Sequence, residues 1–169
     1  MTANTAPNTP NTPNTPDTTN TLLCLDLNGT VLYRNKNTRS CICRPFLQEF
    51  LSQAVRFYDV AVWSSGTKTN MDSLVRDLFR EHYDELVFKF YRNNCDIAPS
   101  KEKPWATQKN LSSIPFQYDS IIMVDDSDDK IIGMRENDFH YKILKYKGDN
   151  NDFELQILMD FIITRLDNS

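Results

Sequence analysis

Residues 22–25, 58–63, 87–91 and 120–124 are largely apolar without the in–out alternation of a half-buried strand. Runs of this kind read as strands covered on both faces, as in a parallel sheet. Between them the spacing becomes helical. Pro45 opens a segment, 45–57, in which Phe46, Phe50 and Ala54, and beside them Leu47, Leu51 and Val55, recur every fourth position, predicting a helix with one broad core face. Residues 69–81 repeat the pattern with Met71, Leu74, Val75, Leu78 and Phe79. A closing helix is expected over 152–166, with Phe153, Ile157, Phe161, Leu158 and Ile162 as its buried stripe. A further strand is expected around 141–144, while 92–108, with Pro99 and Pro104, reads as irregular. Strand and helix alternating at these distances predict βαβ units with right-handed crossovers. The expected class is α/β, a mostly parallel central sheet with helices on both faces.

Ligands of such sheets bind beyond the carboxyl ends of the strands, and here those ends carry reactive side chains. The first run ends in Asp26-Leu27-Asn28-Gly29-Thr30, the second in Ser64-Ser65-Gly66 and the last in Asp125-Asp126-Ser127-Asp128-Asp129. A strand ending in Asp and Gly is by itself an ordinary turn. The combination is more informative. Carboxylates gathered around a small cavity repel one another unless a cation neutralises them, a role that suits a hard, oxygen-seeking ion such as Mg2+. Hydroxyls, backbone N–H groups and Lys109, expected on a loop, supply donors for phosphate oxygens. A carboxylate can also accept a phosphoryl group as an aspartyl phosphate. Asp128 and Asp129 read as a solvated loop or a helix cap.

Composition narrows the setting. The 169 residues, 40% hydrophobic and 25% charged, suit one globular domain. The first twenty differ: Asn-Thr-Pro occurs in tandem at 8–10, 11–13 and 14–16 with almost no apolar side chain, so a disordered tail is expected over 1–20 and the folded domain over 21–169. No secretory or mitochondrial leader pattern and no bilayer-length apolar run is present, so a nuclear or cytoplasmic protein without a membrane partner is expected. A net charge of −4 argues against a nucleic-acid coat protein. Zinc is not expected: Cys24 reads as a core residue, Cys41 and Cys43 lack a partner pair, and His82 and His140 read as packing or surface residues. The polar loop 33–39, with Arg34, Lys36 and Arg39, reads either as a solvated loop or as a clamp for an anionic substrate.

With these motifs in order, the sequence resembles the haloacid dehalogenase superfamily, and within it the phosphatases of the RNA polymerase II C-terminal-domain type, the nuclear LIM interactor-interacting factor-like domain. Asp26-Leu27-Asn28-Gly29-Thr30 resembles the first motif, D-x-D-x-T, and Val62-Trp63-Ser64-Ser65 the second. Lys109-Asn110-Leu111 resembles the third and Asp125-Asp126-Ser127 the fourth, while residues 44–51 resemble the family's R-P-x-x-x-x-F-L helix start. The resemblance covers 22–166 and implies a three-layer, Rossmann-like fold with a minimal cap.

It also implies Asp26 as nucleophile and Mg2+ ligand, with Asn28 ligating through its backbone carbonyl. Leu27, Asn28, Ser64, Ser65 and Lys109 would bind the phosphoryl group. Asp125 and Asp126 supply the remaining metal ligand, which of the two being open at this point. The implied partner is a phosphoserine- or phosphothreonine-bearing protein or peptide, acted on by a monomer, with Arg34, Lys36, Arg39 and Arg92 near the mouth. The pattern departs at Asn28, where the family's phosphatases have an aspartic acid that protonates the leaving oxygen. General acid–base catalysis is worth roughly 10²–10⁴-fold. A phosphatase with weakened activity is therefore expected, or, in its place, a pseudophosphatase that binds phosphopeptides or proteins.

Overall fold

The computed structural model describes residues 20–35, 37–38, 40–99 and 102–167. The tail expected over 1–20 lies outside them except for Asn20, as do Lys36 and Arg39. In chain order the elements are β1 (Thr21–Leu25), β2 (Leu32–Arg34), β3 (Cys41–Cys43), α1 (Leu47–Phe57), β4 (Asp59–Trp63), α2 (Lys68–Phe79), β5 (Lys89–Phe90), β6 (Asp96–Ile97), β7 (Thr107–Asn110), β8 (Ser120–Asp125), β9 (Ile131–Ile132), β10 (Phe139–Lys142) and α3 (Glu154–Asp167).

Five strands form the central sheet in the order β10-β8-β1-β4-β5, every neighbouring pair parallel. The chain leaves β1 in one direction through β4 and β5, then returns to β1's other side through β8 and β10. This reversal is a topological switch point, and it places a crevice at the carboxyl end of β1. The registers Leu25↔Val124 and Leu25↔Val62 bring the ends of β8 and β4 level with that of β1.

Alternate residues of the central strands feed two cores. Leu23, Leu25, Val60, Val62, Ile122 and Val124 pack beneath α1, α2 and α3. On the other face Leu22, Cys24, Ala61, Trp63, Ile121 and Met123 meet Phe88, Leu111, Ile114 and Tyr118. All three α-helices thus lie on one face, and the helical cover expected on the other is a one-turn 3-10 helix, Leu111–Ser113, with the segment that follows it. Cys24 is a core residue, and the His82 ring bridges Ser52 and Glu85, both as expected.

Two details of the helices differ from the sequence expectation. Helix α1 begins at Leu47, because Phe46 adopts a left-handed conformation (φ 64°) and stacks on Phe153 with ring centroids 5.8 Å apart. In α3 the buried stripe is Leu155, Leu158 and Ile162, whereas Phe153 and Ile157 are 55% and 53% exposed. The helix carries two overlapping apolar stripes; contact with α1 and the sheet selects the one through Leu158. Leu47→Ala should therefore cost about 2–5 kcal/mol in urea denaturation, against under about 1 kcal/mol for Ile157→Ala. Among the described residues no helix is long and apolar enough to cross a membrane.

Cover over the carboxyl edge is slight. It comprises the antiparallel β2–β3 hairpin and a small sheet, β6-β7-β9, of which β6 and the first half of β7 lie within 92–108, expected to be irregular. Strand β7 carries Lys109, which corrects its expected place on a loop.

Candidate active site

The carboxyl end of β1 is built to turn sharply. The Leu27 carbonyl accepts the N–H groups of Thr30, Val31 and Leu32, and the Gly29 N–H donates to the Leu32 carbonyl. Gly29 has φ 93°, and a Cβ there would lie 2.8 Å from Asp126 Oδ2, so glycine is required for the β1 turn to approach the end of β8. Two contacts from outside the turn hold it: the Tyr146 N–H donates to the Gly29 carbonyl at 2.8 Å, and Arg44 Nη1 donates to the Thr30 carbonyl at 2.8 Å.

Arg44 is fully buried. Its Nε and Nη2 form a two-point pair with Asp152, each bond 2.7 Å, and Nη2 also donates to the Leu144 carbonyl. The guanidinium packs over the Tyr146 ring, 5.2 Å from its centroid.

Lys109 reaches the centre of the crevice. Its Nζ donates to Asp26 Oδ1 and to Asp125 Oδ2, both at 2.6 Å, and all three side chains are buried. Burial favours the neutral form of Asp26 and, joined by repulsion from Asp125, pushes its carboxyl above the usual carboxylate range despite Lys109. Burial alone would lower the Lys109 value; the two carboxylates outweigh it and hold the ammonium above its usual range. The second oxygen of Asp125 accepts the Ser127 N–H at 2.9 Å, so both of its oxygens are occupied. Asp126 differs. Its Oδ2 faces Lys145 Nζ at 3.0 Å and its Oδ1 is 3.4 Å from the Ser127 hydroxyl.

Carboxylate oxygens of Asp26, Asp125 and Asp126 lie within 4.8 Å of one another. Among the described residues, two ammonium groups, Lys109 and Lys145, contact these three acids. A hard divalent cation fits this donor set: the oxygens are close together, negative charge is in excess, and Asp26 lacks enough positive charge to keep its carboxyl in the ordinary range.

The remaining expected residues are partly assembled. Ser64 is buried at the end of β4, where its hydroxyl accepts the Gly66 N–H. Ser65 follows it, with a buried hydroxyl that has no hydrogen-bond partner among the described residues. The Thr30 hydroxyl is likewise buried and unpartnered. Asn28 is exposed, and its Oδ1 accepts the Arg34 N–H at 3.1 Å, tying the β1 turn to β2. Arg92 donates to the Ser65 and Trp105 carbonyls, which puts it beside the second motif.

Sequence reasoning missed Lys145 and the full reach of Arg44. Lys145 stands in a short run of mixed polarity with no motif around it, so no local signal marked it. For Arg44 the Arg-Pro pair was a signal, but its partners lie 100 and 108 residues away.

A lysine clamped between two strand-end acids at the switch point of a parallel sheet is the arrangement expected of the haloacid dehalogenase superfamily. The profile of the NLI interacting factor-like phosphatases matches residues 21–169, and the chain belongs to that family. Two solved structures are similar to it. One is the fission yeast RNA polymerase II CTD phosphatase Fcp1, an arginine-to-alanine variant bound to beryllium fluoride: 17% identity, TM-score 0.53, covering 86% of this chain and 50% of that one. Another is described as Fcp1, an essential RNA polymerase II CTD phosphatase: 18% identity, TM-score 0.52, covering 85% of this chain and 48% of that one. This chain therefore spans about half the length of each. Among curated proteins none matches its sequence.

Proposed function

We propose that this chain is a Mg2+-dependent phosphatase of phosphoserine or phosphothreonine side chains in proteins, working through an aspartyl phosphate at Asp26 with reduced turnover. The observation that carries this reading is the Asp26–Lys109–Asp125 clamp at 2.6 Å. Asp26 attacks phosphorus through a carboxylate oxygen while the bond from phosphorus to the serine or threonine oxygen breaks, and the departing oxygen takes its proton from solvent, since the Asn28 amide has no acidic proton to give. Water then attacks the phosphorus of the acyl phosphate, releasing phosphate and restoring the carboxylate. Lys109 steadies the nucleophile and is the fixed cation for the phosphoryl oxygens, with the Ser64 and Ser65 hydroxyls and the backbone at Leu27 and Asn28 as further partners.

When bound, Mg2+ would neutralise charge at the reacting oxygens. Asp26, Asp126 and the Asn28 carbonyl are the groups that would hold it. Asp125 holds Lys109 at 2.6 Å and the Ser127 N–H at 2.9 Å, which supports Asp125 as the group that orients Lys109 and Asp126 as the metal ligand. The description of both Fcp1 structures as RNA polymerase II CTD phosphatases supports a flexible phosphopeptide as the substrate class, with Arg92, beside Ser65, as a candidate to meet its charge.

Mg2+-dependent phosphate release from an aryl phosphate and a phosphoserine peptide tests the proposal. The native chain should turn over, and Asp26→Asn should lose essentially all activity. A second reading, a phosphopeptide-binding pseudophosphatase, is favoured by Asn28. A native chain that binds the phosphopeptide but releases no phosphate from either substrate would establish it instead.

A further inference from the structure

The two lysines that touch the acidic cluster are not equivalent. Lys109 is fully buried and bonded to two carboxylates, so it is a fixed part of the site. Lys145 is 60% exposed, lies on the segment between β10 and α3, and reaches in to Asp126, whose side chain is only 2% exposed. Asp126 Oδ1 is held loosely, 3.4 Å from the Ser127 hydroxyl, and its Oδ2 is the oxygen that Lys145 occupies. An ammonium and a divalent cation on the same carboxylate repel each other, whichever oxygen each takes. A half-exposed lysine on a flexible stem is also the member of the pair that can leave.

We infer that Lys145 competes with the divalent cation for Asp126, so that this chain itself raises the Mg2+ concentration at which the site loads. The inference rests on the proposed Mg2+ role and adds its regulation. The competition is electrostatic and half-exposed, hence sensitive to ionic strength: monovalent salt screens Lys145 and narrows its effect.

The test is Mg2+ titration of the native chain, Lys145→Gln and Lys145→Arg, read by calorimetry and by the Mg2+-induced rise in melting temperature, with no substrate present. Lys145→Gln should bind Mg2+ about 3–10-fold more tightly than the native chain at low salt. The ratio should shrink as salt is added, and Lys145→Arg should keep the native affinity. Equal or weaker binding by Lys145→Gln, with Mg2+ binding intact in the native chain, overturns the inference and leaves the metal reading standing. No Mg2+ binding by any of the three overturns both.

Discussion

Asn28→Asp should raise the rate of phosphate release from a phosphoserine peptide by about 10²–10⁴-fold, the range associated with a positioned general acid–base. The substitution is isosteric, and Asn28 is exposed, with its Oδ1 accepting the Arg34 N–H; a carboxylate oxygen can accept the same bond. The β1 turn and the Asp26–Lys109–Asp125 clamp should therefore persist, and melting temperature should stay nearly constant. The gain should be largest for a serine-type leaving group, whose oxygen needs a proton as it departs, and small for an aryl phosphate, whose oxygen does not. Steady-state kinetics on both substrates separates these cases. An equal gain on both would place the effect of residue 28 elsewhere than in leaving-group protonation.

Arg44→Ala should cost about 3–5 kcal/mol, because removing one partner of a buried ion pair leaves the other uncompensated. In a domain of this size that lowers the melting temperature by about 6–20 °C. Three losses coincide: Asp152 keeps its charge without the guanidinium, the Thr30 and Leu144 carbonyls lose their donor, and Tyr146 loses its stacking partner. Arg44→Lys should recover only part of the loss, since an ammonium cannot reproduce the two-point geometry toward Asp152. Thermal denaturation of the two variants against the native chain measures this directly. A near-native melting temperature for Arg44→Ala would show that the buried pair contributes little.

The middle of the central sheet, β1, β4 and β8, was legible because these strands are apolar runs, and the acids were legible because they stand where those runs stop, whereas the edge strand β10, Phe-His-Tyr-Lys, lies two residues before its expected place. Asp26, Ser64, Asp125 and Asp126 could thus be placed on one edge from the sequence. The strands of the cover were not legible. Residues 107–110, Thr-Gln-Lys-Asn, carry no apolar period, and their pairing with β6 and β9 is set by the contacts around them. Lys109 was therefore recognised as a functional residue but expected on the wrong kind of element. The apolar face of α3 was ambiguous for the opposite reason, an excess of apolar positions from which packing chose Leu155, Leu158 and Ile162. Lys145 was beyond reach, since its meaning depends on Asp126 and only the fold brings them to 3.0 Å.

The contacts that close the β1 turn carry a consequence for synthesis. Gly29 is held by Tyr146, and Thr30 by an arginine anchored on Asp152, so the turn beside Asp26 is secured by residues more than a hundred positions downstream. A growing chain emerges amino end first, at about 5–20 residues per second. The segment that presents Asp26 therefore leaves the ribosome several seconds before the groups that fix its shape. In that interval Asp26 stands on a loop whose closing contacts have not yet formed. The turn beside Asp26 takes its final form only after the segment leading into α3, with Tyr146 and Asp152, has been made.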